Sequence, residues 1–261
     1  INLGLSSNQF IGLTTSQIGF LTTKQILSLD SIQVSAIETE NISSITTRQL
    51  ASIHTDSIIG LTTEQIATIS STQLSTFQTK QVVKLLSDQI SAINTESING
   101  FTTKQIVALD SDQLIAITTE QISYLTPIHI SAIDTNDINN GLSTNQIVAL
   151  TSSQIVGLTT KQIYSLDSIR ISSIETEDLR RMTTLQIHSL STTGIVGFTT
   201  EIMSSLSGSQ IAGIETKDLQ VIKTFQIEAI STQALSNSFT TKQILALTTN
   251  QFNALTTDQI G

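Results

Sequence analysis

The chain has no cysteine, no tryptophan and a single proline, Pro127, and charged residues fill only 13% of its 261 positions. Without cysteine there is no disulfide, no thiolate nucleophile and no Cys-ligated metal. The few charges are unbalanced, giving a formal net charge of −9. Such a chain repels phosphate backbones and anionic lipid heads, which argues against nucleic acid as a partner. No apolar run approaches the ~18 residues of a membrane span. The glycine patterns that cradle nucleotide phosphates are missing, and no G-x-S-x-G is found beside a plausible base. Three histidines, His54, His129 and His188, fall in different columns of the repeat described next and far apart in sequence. They read as polar surface residues. The sequence therefore points away from an enzyme, and it yields no catalytic, cofactor-binding or metal-binding residues.

What fills the chain instead is Ser, Thr, Gln, Asn, Ile and Leu in a repeat of eight. Stepping by octads from Leu5 gives Leu13, Leu21, Leu29 and so on to Ile133, every one apolar. After a one-residue slip the series resumes at Leu142 and runs to Ile230, and after a second slip it ends with Phe239, Leu247 and Leu255. Calling this position 1, position 6 is also apolar, as in Ile26, Ile66, Ile106 and Ile187. Position 2 is usually Thr, Ser, Asp or Asn, position 5 most often Gln, and position 8 usually Ala, Ser or Gly. Both slips follow position 6, near Asn139–Gly141 and Ser236–Ser238. Insertions are tolerated where a chain turns, so the turn is placed near positions 7, 8 and 1. A slower rhythm is superposed. The octad segments at His54, Asn94, Asp134, Glu175 and Glu215 replace the Gln by Ser or Asp, and they recur about every five octads. The expected meaning is that five octads complete a whole number of superhelical turns.

Each octad carries the signals of a helix start. A Thr, Ser, Asp or Asn at position 2 accepts hydrogen bonds from the free amides of the first turn. Gln three residues later completes a capping box, and positions 1 and 6 form its hydrophobic staple. Pro127 falls at the first helical residue, where its missing N–H is harmless, and Gly at position 8, as at Gly60, Gly100, Gly157, Gly197 and Gly213, suits a helix end. Helices this short are unstable alone and persist only by packing on neighbours, which is the logic of a solenoid. The predicted fold is thus an all-α solenoid of very short helices, one per 8-residue repeat, five octads to a 40-residue super-repeat. A β-solenoid is the alternative, since Ile, Thr and Ser favour strands. Residues 1–261 read as one continuous array, a fragment of a longer one.

Within the slower rhythm Asp134, Asp137, Glu175, Glu177, Asp178, Glu215 and Asp218 recur at matching places. They read as a solvated ridge of helix caps and first-turn charges. Converging carboxylates around Ca²⁺ are the sharper alternative, weakened by His54, Asp56, Ser57 and Asn94, Glu96, Ser97 in the earlier copies. Asn41-Ile42-Ser43 has the form of a glycosylation sequon.

The phrases LTTEQIATI (61–69), FTTKQIVAL (101–109) and LTTKQIYSL (158–166) resemble the octad repeats of very large bacterial surface proteins of the heme-utilisation and adhesion type. The resemblance implies an exported, extended stalk or fibre. It supplies no heme ligand, because no His or Met column is present. More locally, LTPIHISAI (125–133) looks like the opening helix of transcription-activator-like effector repeats, but the chain restarts after eight residues and is acidic, so the likeness supports helix and not DNA binding. The expected function is structural: an extracellular or cell-surface stalk, spacer or filament, adhesive in character. Its partners would be further copies joined end to end or neighbouring repeats, and a cell-surface or glycan target. A binding module holding a peptide or glycan in a superhelical groove is the second expectation.

Overall fold

The computed structural model describes Gly4 and residues 6–260, so Leu5, the first of the position-1 series, lies outside the described residues. Among the described residues there is no strand. Short helices of three to seven residues follow one another at one per octad, and the β-solenoid alternative is excluded.

The helices start where the capping signals put them. Gln121 N–H donates to Thr118 Oγ1 at 3.1 Å, and Thr118 N–H donates to Gln121 Oε1 at 2.8 Å. The two bonds satisfy two of the amides that a helix start leaves free. The same pair forms between Thr183 and Gln186 at 3.1 and 2.9 Å. Pro127 opens the helix Pro127–Ala132. The position-8 glycines stand at helix ends as expected: Gly60, Gly100, Gly157 and Gly213 each close a helix. Gly4 is the only described residue with positive φ, so the glycines at position 8 do not end helices through the left-handed conformation; at several of them glycine is required by close packing instead.

The chain forms two compact units, residues 1–132 and 133–261. In the first, the helix Thr23–Leu27 packs on Thr47–Leu50, which packs on Ser71–Ser75. In the second, Thr184–His188 packs on Gly208–Gly213, which packs on Thr232–Ser238. Each helix therefore meets the third one along. Positions 1 and 6 point inward: Ile66, Ile69, Leu74 and Phe77 in the first unit, and Ile163, Leu166, Ile171 and Ile174 in the second, are all buried. Each such side chain contributes roughly 1.5–3 kcal/mol by leaving water, which a one-turn helix cannot gain alone.

The extra residues are absorbed at helix ends. The second slip lengthens Thr232–Ser238 to seven residues, and the first falls where Thr135–Asn140 ends at Gly141. One expectation is corrected. The bonds between turns span 28 to 31 residues, which sets about three and a half octads to a turn. Five octads are not a whole number of turns, so the 40-residue rhythm does not bring equivalent faces into line.

Candidate functional site

The feature that organises both units is a seam built from the Gln of position 5. Its Oε1 caps its own helix, as above. Its Nε2, on the other side of the same amide, donates to the carbonyls that end a helix of the preceding turn. Gln121 Nε2 reaches the carbonyls of Ile90, Ser91 and Ile93 at 3.2, 3.1 and 2.6 Å. Gln186 Nε2 reaches those of Ile155, Val156 and Leu158 at 3.0, 3.2 and 2.9 Å. Both Gln side chains are buried. One primary amide thus satisfies the free N–H of one helix and the free C=O groups of another, and a buried polar group so satisfied holds the turns in a single register. Across the second slip, Gln251 makes the same bonds to Leu219 and Ile222, now 32 and 29 residues back. The insertion shifts the count by one and leaves the partners' column unchanged.

Where the column departs from Gln, the substitutes show what the position requires. Asn41 keeps the job: its Nδ2 donates to the Leu13 carbonyl at 3.1 Å and its Oδ1 accepts from Thr15 Oγ1 at 2.6 Å. Asn41 is buried, so the sequon it belongs to is closed to a glycosyltransferase in the folded chain. Ser57 donates to the Leu29 carbonyl at 2.7 Å. Arg170, paired with Asp167 at 2.8 Å, reaches the Leu142 carbonyl at 3.4 Å.

His129 overturns its sequence reading. It is only 8% exposed because it too stands in the seam. Its Nδ1 accepts from Thr126 N–H at 3.3 Å, and the ring faces the backbone of Phe101, 28 residues earlier in the seam register. A neutral imidazole with its proton on Nε2 reproduces both halves of the Gln amide. Burial lowers its pKa below the ordinary 6.5, opposed by the backbone of Phe101. The folded chain thus holds the proton less readily than the unfolded chain. The stability due to His129 is complete above about pH 6.5 and is lost as pH falls below it. The urea midpoint of the wild type should fall relative to that of His129→Gln between pH 7.5 and pH 5. Parallel midpoints would refute this role.

The other two histidines lie on the surface. His54 Nδ1 is 3.7 Å from Asp56, and His188 Nε2 is 3.2 Å from Glu215. The acidic residues do not form a ridge. Asp134 caps its helix by accepting from Asn136 N–H at 2.9 Å, whereas Glu175 and Glu215 sit at helix starts without a capping bond. Glu177 is exposed and pairs with Arg180 at 2.9 Å. Asp178 and Asp218 are buried, because they too occupy position 5. Asp178 accepts a short hydrogen bond from Ser152 Oγ; Asp218 accepts none. Among the described residues no three His, Asp or Glu side chains converge in a way that could hold a metal ion.

Outside the seam, open hollows are found among the described residues. One of about 260 Å³ is bordered by Lys24, His54 and Lys80, and one of about 350 Å³ by His188, Glu215, Lys217 and Lys242. In the second, Lys217 and His188 both pair with Glu215, so the charges answer one another. A third, of about 430 Å³, lies between Ile169, Val196 and Phe225. Val148, Val156 and Tyr164, at position 7 of successive octads, are exposed. The turn sets them about 100° apart around the axis, so they do not merge into one apolar patch.

Three stretches, residues 92–127, 130–168 and 171–208, match the ALTTAQ repeat. The ALTTAQ repeat thus starts afresh about every five octads, which is the slower rhythm of the sequence, with the Gln seam running through it. No curated protein matches the chain. In the ALTTAQ stretches the signature Gln is the bridging residue: Gln105 reaches Leu74 and Phe77 at 3.0 and 2.7 Å. Sequence reasoning found that Gln as a cap and missed it as a bridge. The available signal was that position 5 is never Glu, although a capping box accepts Glu as readily. An ionised carboxylate can only accept, whereas the amide accepts on one side and donates on the other.

Proposed function

We propose that the chain is a structural segment of an extracellular repeat protein: a stalk, spacer or fibre of a bacterial surface, with adhesion as its setting and no catalysis of its own. The observation that carries this is the seam. Its buried amides tie each turn to the one before in a repeating register. Such a device scales with length and needs no disulfide, which suits a cysteine-free polymer. The octad resemblance to large surface proteins supports the exported setting, and end-to-end association extends the same register from one copy to the next. A groove for a peptide or glycan is the second reading, favoured by the hollow at Ile169, Val196 and Phe225.

Covalent tandems of one, two and three copies would test the spacer reading by electron microscopy. Contour length should grow in proportion to copy number at constant width. Compact particles whose diameter rises only slowly with copy number would overturn it.

A further inference from the structure

The carboxyl of Asp218 is 1% exposed, and neither of its oxygens has a hydrogen-bond partner. Its place explains the anomaly. It occupies position 5, between two intact joints of the seam. One octad earlier, Gln210 donates to the carbonyls of Leu179, Arg180 and Met182 at 3.2, 3.1 and 2.9 Å. One octad later, Gln226 donates to the Phe198 carbonyl. The equally short Asn41 reaches the carbonyl 28 residues back, that of Leu13, and by the same register the counterpart of Asp218 is the Leu190 carbonyl. Asp178, in the same position, receives Ser152 Oγ–H; the corresponding hydroxyl, Thr192, gives Asp218 nothing.

We propose that Asp218 is a proton-operated joint: as the acid it donates its O–H across the seam to the preceding turn, as the Gln amides do, and as the carboxylate it faces carbonyl oxygens with nothing to donate and releases that turn. The seam of residues 133–261 is then closed in acid and loosened locally as pH rises. Ionised, the group would be a buried acceptor facing acceptors, which is strongly unfavourable.

The charges around it leave this balance in place. On its own segment lie Lys217 and Glu215. Among the neighbouring helices, Thr241–Ala246 brings Lys242, Thr184–His188 brings His188, and Thr192–Ile195 and Thr249–Asn253 bring no titratable group. Lys217 is drawn to Glu215, as is His188. Burial pushes the Asp218 carboxyl up from 3.8 to about 6, with Glu215 raising it further and Lys217 and His188 opposing. Between those two values the folded chain holds a proton that the unfolded chain has lost. The stability from this residue is therefore complete below about pH 3.8 and lost as pH rises through about 6.

The test is thermal melting of the full chain between pH 5 and pH 7.5 at fixed ionic strength, for the wild type, Asp218→Asn and Asp258→Asn. Because His129 acts in the opposite sense in all three proteins, each variant is read against the wild type. Asn restores the donor permanently, as Asn41 does, so Asp218→Asn should melt about 5 °C above the wild type at pH 7.5, and the gap should shrink to about half of that at pH 5. Asp258→Asn, which removes an exposed charge from the same unit, should follow the wild type. Amide hydrogen exchange around residues 187–190 should quicken with pH, beyond its intrinsic rate, in the wild type and not in Asp218→Asn. The proposal is overturned if Asp218→Asn keeps the wild-type pH slope, if Asp258→Asn flattens it equally, or if added Ca²⁺ rather than acid restores the wild-type melting temperature at pH 7.5.

Discussion

Replacing Gln121 with glutamate should destabilise the protein by about 4 kcal/mol at pH 7, well beyond the ~1–3 kcal/mol expected for Gln121→Leu. The side chains of Gln and Glu have nearly the same shape, so packing barely changes, and glutamate Oε1 can still accept from Thr118 N–H. The other oxygen, however, would stand where Nε2 now meets the carbonyls of Ile90, Ser91 and Ile93. An ionised acceptor against three acceptors is untenable, and the group takes up a proton instead. Holding a carboxyl neutral at pH 7 against an ordinary pKa near 4.3 limits the penalty to about 4 kcal/mol. Because the folded value is raised, the loss should shrink as pH falls toward 5, where the protonated acid again has one O–H to donate. Gln121→Leu, which leaves the carbonyls unanswered at every pH, should show no such recovery. Urea unfolding of both variants at pH 7 and pH 5 measures this. A glutamate variant within about 1 kcal/mol of the wild type at pH 7 would show that the seam does not bear on stability.

The contrast shows which parts of this structure could be read from residues. Everything inside one octad was legible: Thr118 as a cap, Pro127 at a first helical position, Ile66 and Ile69 as inward residues, the slips at helix ends. Those features depend on neighbours within eight positions, and the sequence displays such neighbours directly. The number of octads in a turn was not legible. It follows from how apolar side chains of separate turns fit together, and a period of eight is compatible with many such fits. The five-octad rhythm invited a whole number of turns, but the packing settled on a register of 28 to 31 residues. Once that register is known, three readings change together. His129 moves from surface to seam, Asn41 from sequon to bridge, and Asp178 and Asp218 from solvated ridge to buried column. Each is a position-5 residue, and its burial is a property of the neighbouring turn, which the local sequence does not contain. Asp218 is also where the seam's own rule is broken, a place where local and global requirements disagree.

Gly60→Ala should cost about 3 kcal/mol or more, an effect opposite in sign to Gly19→Ala. A Cβ on Gly60 would lie 2.0 Å from the Ser31 carbonyl oxygen and 2.6 Å from its Cα, so backbone must move against backbone, whereas a Cβ on Gly19 meets nothing within 4 Å. Gly19 lies in the helix Thr15–Gly19, where alanine is the better residue. The close approach at Gly60 has a cause in position 5 of the same octad. Ser57 stands there in place of Gln, and its short hydroxyl reaches the Leu29 carbonyl at 2.7 Å, as a close approach of the two turns allows. The three octads with Ser or Gly at position 5, those of Ser57, Ser97 and Gly194, all carry Gly at position 8, namely Gly60, Gly100 and Gly197. A Cβ at any of these three would lie within 2.3 Å of a carbonyl oxygen of the preceding turn, on Ser31, Ser71 or Ser168. Octads with Gln tolerate Ala at position 8, as in Gln105 with Ala108. A longer bridge is expected to hold the turns further apart. Gly60→Ala should therefore be less harmful beside Ser57→Gln than alone, with a coupling of at least about 1 kcal/mol in a double-mutant cycle followed by urea unfolding. Strictly additive losses would mean that the side chain at position 5 does not set the distance between turns.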